Sequence, residues 1–187
     1  MKTVSGRVVV FVIAFCVFAF AVAYSESFPP GEWAFNHVPE EAILLLREDG
    51  TAVFKGQDYS WKDDGVRILF SKEDGEEFSL RYLVTEKKVL LYLPTVYIRA
   101  EDDPGEGLTG AWIGKEAEGS TFIFREDGMF LEDGTFAGVY QVDQETGTFL
   151  LIYPDYFDDT LCYFRLEGND TLAVEYPWPL VKKETVH

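Results

Sequence analysis

Acidic side chains are the most abundant groups in this chain that could do chemistry: Asp and Glu together number 33 against 16 Lys and Arg. Asp58, Asp63, Asp64, Asp155, Asp158 and Asp159 fall in polar stretches between apolar runs. Two facing carboxyls would suit glycoside hydrolysis, one protonating the leaving oxygen and the other acting as base or nucleophile. No spacing in the chain marks out such a pair. The calcium loop, with acidic residues at alternate positions and a late glutamate, is not present. Of the two histidines, His187 is the last residue and His37 stands beside a Pro-containing turn. One internal histidine supports neither a Ser-His-Asp set nor a zinc site, which needs several His or Cys ligands. There is no Gly-rich phosphate loop. No catalytic residue, metal ligand or cofactor is therefore assigned. The chain reads as a non-enzyme, with a carboxylate-dependent hydrolase as the least favoured alternative.

Aromatic residues offer a different chemistry. Trp61, Tyr153, Tyr156, Phe157 and Trp178 lie beside acidic or Pro-containing segments, where rings reach solvent and can grip a sugar or a partner protein. Pro154 to Asp159 is the segment of most interest, because it places Tyr156 and Phe157 among loop residues. The partner is an unknown protein or small ligand. A net charge of −17 repels nucleic acid and anionic lipid and favours cationic partners.

The N-terminus sets the compartment. Lys2 and Arg7 precede an uncharged apolar run from Val8 to Ala23, which closes on the small-x-small triplet Ala21-Val22-Ala23. That order reads as a signal peptide over 1–23, and the expected location is periplasmic or extracellular. An uncleaved N-terminal membrane anchor is the alternative; after cleavage no integral span is expected, since a span needs about 20 apolar residues. Cys16 lies within the run behind Phe15, a poor context for lipid attachment. Cys162 is then the only mature cysteine, so no internal disulfide is available. It lies in the apolar stretch Thr160-Leu161-Cys162-Tyr163-Phe164 and reads as a core residue.

The elements that must carry these side chains appear twice. Gly31-Glu32-Trp33 is followed by Leu46-Arg47-Glu48-Asp49-Gly50, and Gly110-Ala111-Trp112 by Phe124-Arg125-Glu126-Asp127-Gly128. Tyr59 and Gly65 answer Tyr140 and Gly147, and Tyr92-Leu93-Pro94 answers Glu175-Tyr176-Pro177. A period of about eighty residues gives two modules, 28–100 and 108–183, with Gly31, Trp33, Gly50, Gly110, Trp112 and Gly128 as markers. Residues 101–107 carry Pro and Gly and no apolar residue, which is linker chemistry.

Within each half, apolar runs of four to eight residues alternate with turn dipeptides. Asp49-Gly50 separates Ala42–Leu46 from Thr51–Phe54, and Asp127-Gly128 separates Thr121–Phe124 from Met129–Leu131. Asp-Gly favours the type I′ turn, in which both central residues have positive φ. Phe78, Leu80 and Tyr82 alternate with Ser79 and Arg81, so one face is apolar. No segment of the mature chain keeps a helical period. The expectation is an all-β antiparallel meander, closed as a barrel or stacked as a sandwich.

Gly-x-Trp on the first strand, a strand ending at Asp-Gly, and then Gly138-Val139-Tyr140 resemble the opening of lipocalin-like (calycin-type) β-barrels, most closely the small secreted domains common in bacteria. The resemblance implies two tandem repeats, forming one barrel or two, with Trp33 and Trp112 each closing a barrel end by packing. It also implies a carrier of small apolar molecules. The inward positions are mostly large, Leu44, Phe78, Tyr82, Phe122 and Phe124 among them. The favoured expectation is therefore a filled interior and a non-catalytic binding or interaction protein of the cell envelope; the carrier is the alternative.

Overall fold

The computed structural model describes residues 26–101, 103–116, 119–154 and 157–183. The signal segment 1–23, Asp155, Tyr156 and His187 lie outside the described residues. Fourteen strands follow in chain order: Gly31–Phe35 (β1), Ala42–Leu46 (β2), Thr51–Phe54 (β3), Gln57–Asp63 (β4), Arg67–Ser71 (β5), Glu77–Val84 (β6) and Val89–Arg99 (β7). Then come Gly110–Gly114 (β8), Thr121–Phe124 (β9), Met129–Glu132 (β10), Phe136–Asp143 (β11), Thr148–Ile152 (β12), Thr160–Glu167 (β13) and Thr171–Lys182 (β14). Among the described residues there is no helix. The expected antiparallel meander is what forms: each strand pairs with the next, and β14 returns to pair with β1, closing a ring.

The turns show why the strands stop where they do. Asp49-Gly50 and Asp127-Gly128 do connect hairpins, but only their glycines take positive φ (83° and 82°). In each, the backbone N–H before the tight turn reaches across a wider loop, Arg47 to Thr51 O and Arg125 to Met129 O. The type I′ pattern is found instead at Asp133-Gly134 (φ 50°, 63°) and at Lys55-Gly56 (φ 48°, 76°), the latter a pair whose lysine disguises it in the sequence.

Two long strands organise the rest. β7 and β14 pair with each other from Thr171↔Ile98 to Leu180↔Val89. The start of β7 also pairs with β6 and its end with β8; the start of β14 pairs with β13 and its end with β1. This shared ladder crosses the ring, and the buried side chains fall into two clusters beside it. One gathers Phe28, Trp33, Leu44, Leu46, Phe70, Leu80, Tyr82 and Leu91; the other Tyr97, Trp112, Phe122, Phe124, Phe149, Leu151, Cys162 and Val174. Both are packed with rings: Phe70 stacks on Phe78 at 4.8 Å, and Phe122 on Phe124 at 5.3 Å. Burying such side chains is each cluster's main stabilising term, about 1.5–3 kcal/mol apiece.

Residues 103–107 are tied down more firmly than linker chemistry foretells. Arg99 donates to the carbonyls of Gly107 and Thr109, both at 2.7 Å, while its guanidinium lies 4.2 Å from the centre of the Trp112 ring. The Asp103 carboxylate accepts the N–H of Gly105 and of Ala111.

Candidate binding site

Two of the six carboxylates singled out from the sequence, Asp63 and Asp64, hold the chain's own backbone. Asp63 accepts the Phe28 N–H (2.8 Å) and the Tyr82 hydroxyl (2.7 Å). Asp64 accepts the N–H groups of Val66 and Arg67, which hold its carboxyl below the usual aspartate range. Asp58 borders a shallow open groove of about 590 Å3 shared with Tyr59, Lys72 and Asp74. Among the described residues no three His, Cys, Asp or Glu side chains converge as metal ligands would.

The aromatic residues converge more. Inward alternation along β12 carries Phe149 and Leu151 into the core, and Tyr153, just past the strand end, continues the same face. Pro154 ends the run, and the chain returns with Phe157 set against Tyr153, ring centres 5.4 Å apart at 87°. Phe136, at the start of β11, meets Phe157 at 5.1 Å. On β14 the same alternation puts Tyr176 and Trp178 on one face, their rings 5.6 Å apart. Trp178 then touches Phe35 (5.6 Å) and His37 (5.5 Å), and His37 stacks on Phe35 at 16°. These contacts make two groups of rings, Phe136 with Phe157 and Tyr153, and Tyr176 with Trp178, Phe35 and His37, which approach each other at the Tyr153 and Tyr176 hydroxyls and together form the ridge. Phe157 is 53% exposed and Trp178 36% exposed, so the ridge reaches solvent.

A carboxyl sits against this ridge. Phe130 and Glu132 share the inward face of β10, and the tight Asp133-Gly134 turn leaves Glu132 at the strand's last position, half-buried. The Tyr153 hydroxyl donates to Glu132 Oε2 at 2.5 Å and lies 3.5 Å from the Tyr176 hydroxyl. Burial pushes the Glu132 carboxyl above the usual glutamate range; the Tyr153 hydrogen bond opposes this, and the nearby Asp133 charge adds to it. Burial likewise pushes both tyrosine hydroxyls well up, so they remain protonated donors at any ordinary pH. The arrangement can stack on a planar or C–H-rich surface and hydrogen-bond to it through Glu132 and two hydroxyls.

Of the residues proposed from sequence, Tyr153, Phe157 and Trp178 are thus brought together. Tyr156 lies outside the described residues. Trp61 belongs elsewhere, because its indole N–H donates to Arg47 O at 2.9 Å and its ring packs beside the first cluster, closing a hairpin. Glu132, Phe136, Tyr176 and His37 were not singled out as ridge residues. Glu132 is masked in the sequence by the Glu-Asp-Gly turn that follows it, and Tyr176 by the strand around it.

A second cluster lies at the meeting of β5, β6, β13 and β14. Glu175 accepts Arg67 Nη2 (2.7 Å) and Arg81 Nε (3.0 Å), and Arg81 lies over the Tyr163 ring at 3.8 Å. Tyr163 meets Tyr92 of β7 edge-on at 5.4 Å. Its parts all engage one another, so it joins the two sides of the ladder.

No protein-family model, no curated protein and no solved structure matches the chain.

Proposed function

We propose that this chain is an exported, non-catalytic binding protein of the cell envelope, built from two copies of one lipocalin-like module, and that it meets its ligand or partner on the aromatic ridge. The observation that carries the binding reading is two groups of rings, Phe136, Phe157 and Tyr153 on one side and Tyr176, Trp178, Phe35 and His37 on the other, which meet at the Tyr153 and Tyr176 hydroxyls, with Phe157, Trp178 and His37 reaching solvent and a carboxyl at the junction. Exposed rings of this kind, with a few polar groups converging on them, are how a surface gains both affinity and orientation.

Several matched contacts support the duplication. Trp33 Nε1 donates to Pro29 O and Trp112 Nε1 to Leu108 O, each four residues back. Lys182 of β14 lies over Trp33 as Arg99 of β7 lies over Trp112. The Trp61 and Tyr140 N–H groups reach Gly50 O and Gly128 O, and their side chains reach Arg47 O and Arg125 O. Tyr140 is therefore answered by Trp61, not by Tyr59. Tyr59 answers Gly138, and across the strand Ala52 answers Phe130. One ring fills this space in each half, supplied from opposite strands; a methyl added at Gly138 would come within 2.7 Å of the Phe130 ring. In this frame each barrel is completed by an end of the other's last strand.

Export is supported by the charged, apolar and small-residue order of 1–23. The test of the ridge is retention of the purified protein on envelope fractions. Phe157→Ala with Trp178→Ala abolishes retention while the denaturation midpoint stays near the parent's. Undiminished retention by that double variant refutes the ridge as the binding surface.

A further inference from the structure

The outer walls of the two halves differ in kind. On the second half, the outward residues of neighbouring strands stand opposite one another in rows. Ala111, Ile123, Leu131 and Ala137 form one row across β8 to β11. Met129, Val139 and Ile152 form the next across β10 to β12, and beside it Leu150 stands opposite Leu161 of β13. All nine are apolar. In the frame set by the shared hairpins, the first half has Glu32, Leu45, Val53 and Asp58 in the first row and Thr51, Ser60 and Ser71 in the second. Leu69 beside Ser79 completes that set. Six of these nine are polar, as suits a sheet with one face in the core and one in water.

The apolar wall is open to solvent: Val139 is 42% and Met129 38% exposed, and Leu131, Ile152 and Leu161 are half-buried. Contiguous apolar surface of this kind marks a contact surface. Strands β9 to β13 each pair on both sides, so none offers a free edge to a partner strand, and contact is made through side chains. The charges around the wall select its occupant. Residues 101–181 hold 18 Asp and Glu against three cations, Lys115, Arg125 and Arg165, whereas residues 28–100 hold 13 against 9. Arg165 is itself paired with Glu167. Exposed acids bracket the apolar rows: Glu126, Asp127, Asp143 and Glu145 at one end of the strands, Asp133, Asp158 and Asp159 at the other. A second copy brings the same acids against these, and anionic lipid is repelled likewise. An apolar surface edged with Lys and Arg matches both features.

We propose that the outer wall of the second half, centred on Met129, Val139 and Ile152, docks a basic amphipathic segment of a partner protein. The apolar side chains of that segment cover the rows, and its lysines and arginines meet the acidic turns at either end of the strands. This surface is separate from the ridge, of which Phe136, Tyr153 and Tyr176 pack with the inner cluster.

The experiment titrates the purified protein into a fluorescent peptide of about 18 Leu and Lys residues patterned as an amphipathic helix, read by anisotropy. Two controls separate the contributions: the same residues in scrambled order keep the charge without the apolar face, and a Leu/Glu version keeps the face with the opposite charge. The expected result is saturable one-to-one binding of the first peptide alone, weakened by added salt. Val139→Ser with Ile152→Ser installs the residues that the first half carries at Ser60 and Ser71. It weakens binding about tenfold or more while the urea midpoint stays near the parent's. Should that midpoint fall, Met129→Thr alone, at an exposed position, makes the same comparison with a loss of about threefold. Leu69→Ser on the first half's wall leaves binding unchanged, as does Phe157→Ala with Trp178→Ala on the ridge. Equal binding of the scrambled peptide, no saturation, or full binding by the serine and threonine variants overturns the proposal. Loss of binding in the ridge variant overturns it too, by moving the contact to the ridge. So does a dimer, or binding to vesicles of phosphatidylcholine and phosphatidylglycerol, that the double serine variant abolishes, since the wall then belongs to a second copy or to a membrane.

Discussion

Replacing Trp112 with alanine tests the packing argument most directly. The indole is fully buried; its N–H donates to Leu108 O at 2.8 Å in a buried setting, and the Arg99 guanidinium lies over its face. Removing a buried Trp or Phe side chain costs about 3–5 kcal/mol. Leaving the Leu108 carbonyl without its donor costs about 1–3 kcal/mol more. Arg99 loses a cation–π contact worth about 0.5–2 kcal/mol. These contributions overlap, so a loss of about 5 kcal/mol is the working figure. Domains of this kind have roughly 5–15 kcal/mol in total. With a urea slope near 2 kcal/mol per M, the midpoint falls by about 2.5 M, and a parent at the low end of that range is left partly unfolded without denaturant. Trp112→Phe keeps most of the ring packing and loses the N–H, so its midpoint falls by about half as much. Urea unfolding followed by circular dichroism reads both. An unchanged midpoint for Trp112→Ala, or Trp112→Phe as damaging as Trp112→Ala, refutes the assigned role.

Other consequences can be measured in the same way. Glu132 has a raised value in the folded state, so its favourable contribution is complete below the ordinary glutamate value of 4.5 and is lost as pH rises through the folded value. Glu132→Gln should therefore raise the melting temperature relative to the parent at pH 8 and change it little at pH 4; a constant difference across that range contradicts the assignment. Glu175→Gln leaves Arg67 and Arg81 without their shared carboxylate and should cost about 1–2 kcal/mol in urea unfolding, an estimate kept low because all three side chains are partly exposed. A protease site inserted between Pro104 and Glu106 and then cut should leave both halves in one species on size exclusion, because the β7–β14 ladder and the β1–β14 and β7–β8 pairings cross between them; separation without denaturant contradicts those pairings. A fluorescent fatty acid should show no saturable one-to-one binding, because Phe70, Phe122, Phe124 and Phe149 pack the two buried clusters; micromolar binding restores the apolar carrier.

Much of the architecture was legible in the order of residue types. Short β-branched and aromatic runs broken by Asp-Gly specify hairpins locally, so β2, β3 and β9 begin and end where the sequence places them, and β10 runs one residue further. The alternation of Phe78, Leu80 and Tyr82 likewise announced which face of β6 is buried. Sequence also picked out Tyr153, Phe157 and Trp178, because rings beside turn residues stand out. It could not say that they touch: Tyr153 and Trp178 are 25 positions apart and meet only through Tyr176, whose place depends on the register of β14 against β13 and β7. The same holds for Glu132, one acid among many until the Asp133-Gly134 turn and the Tyr153 hydroxyl set it apart. Hairpins follow from neighbours in the chain, whereas a site follows from which strands pair at long range, and that pairing is decided by burying two sets of rings at once.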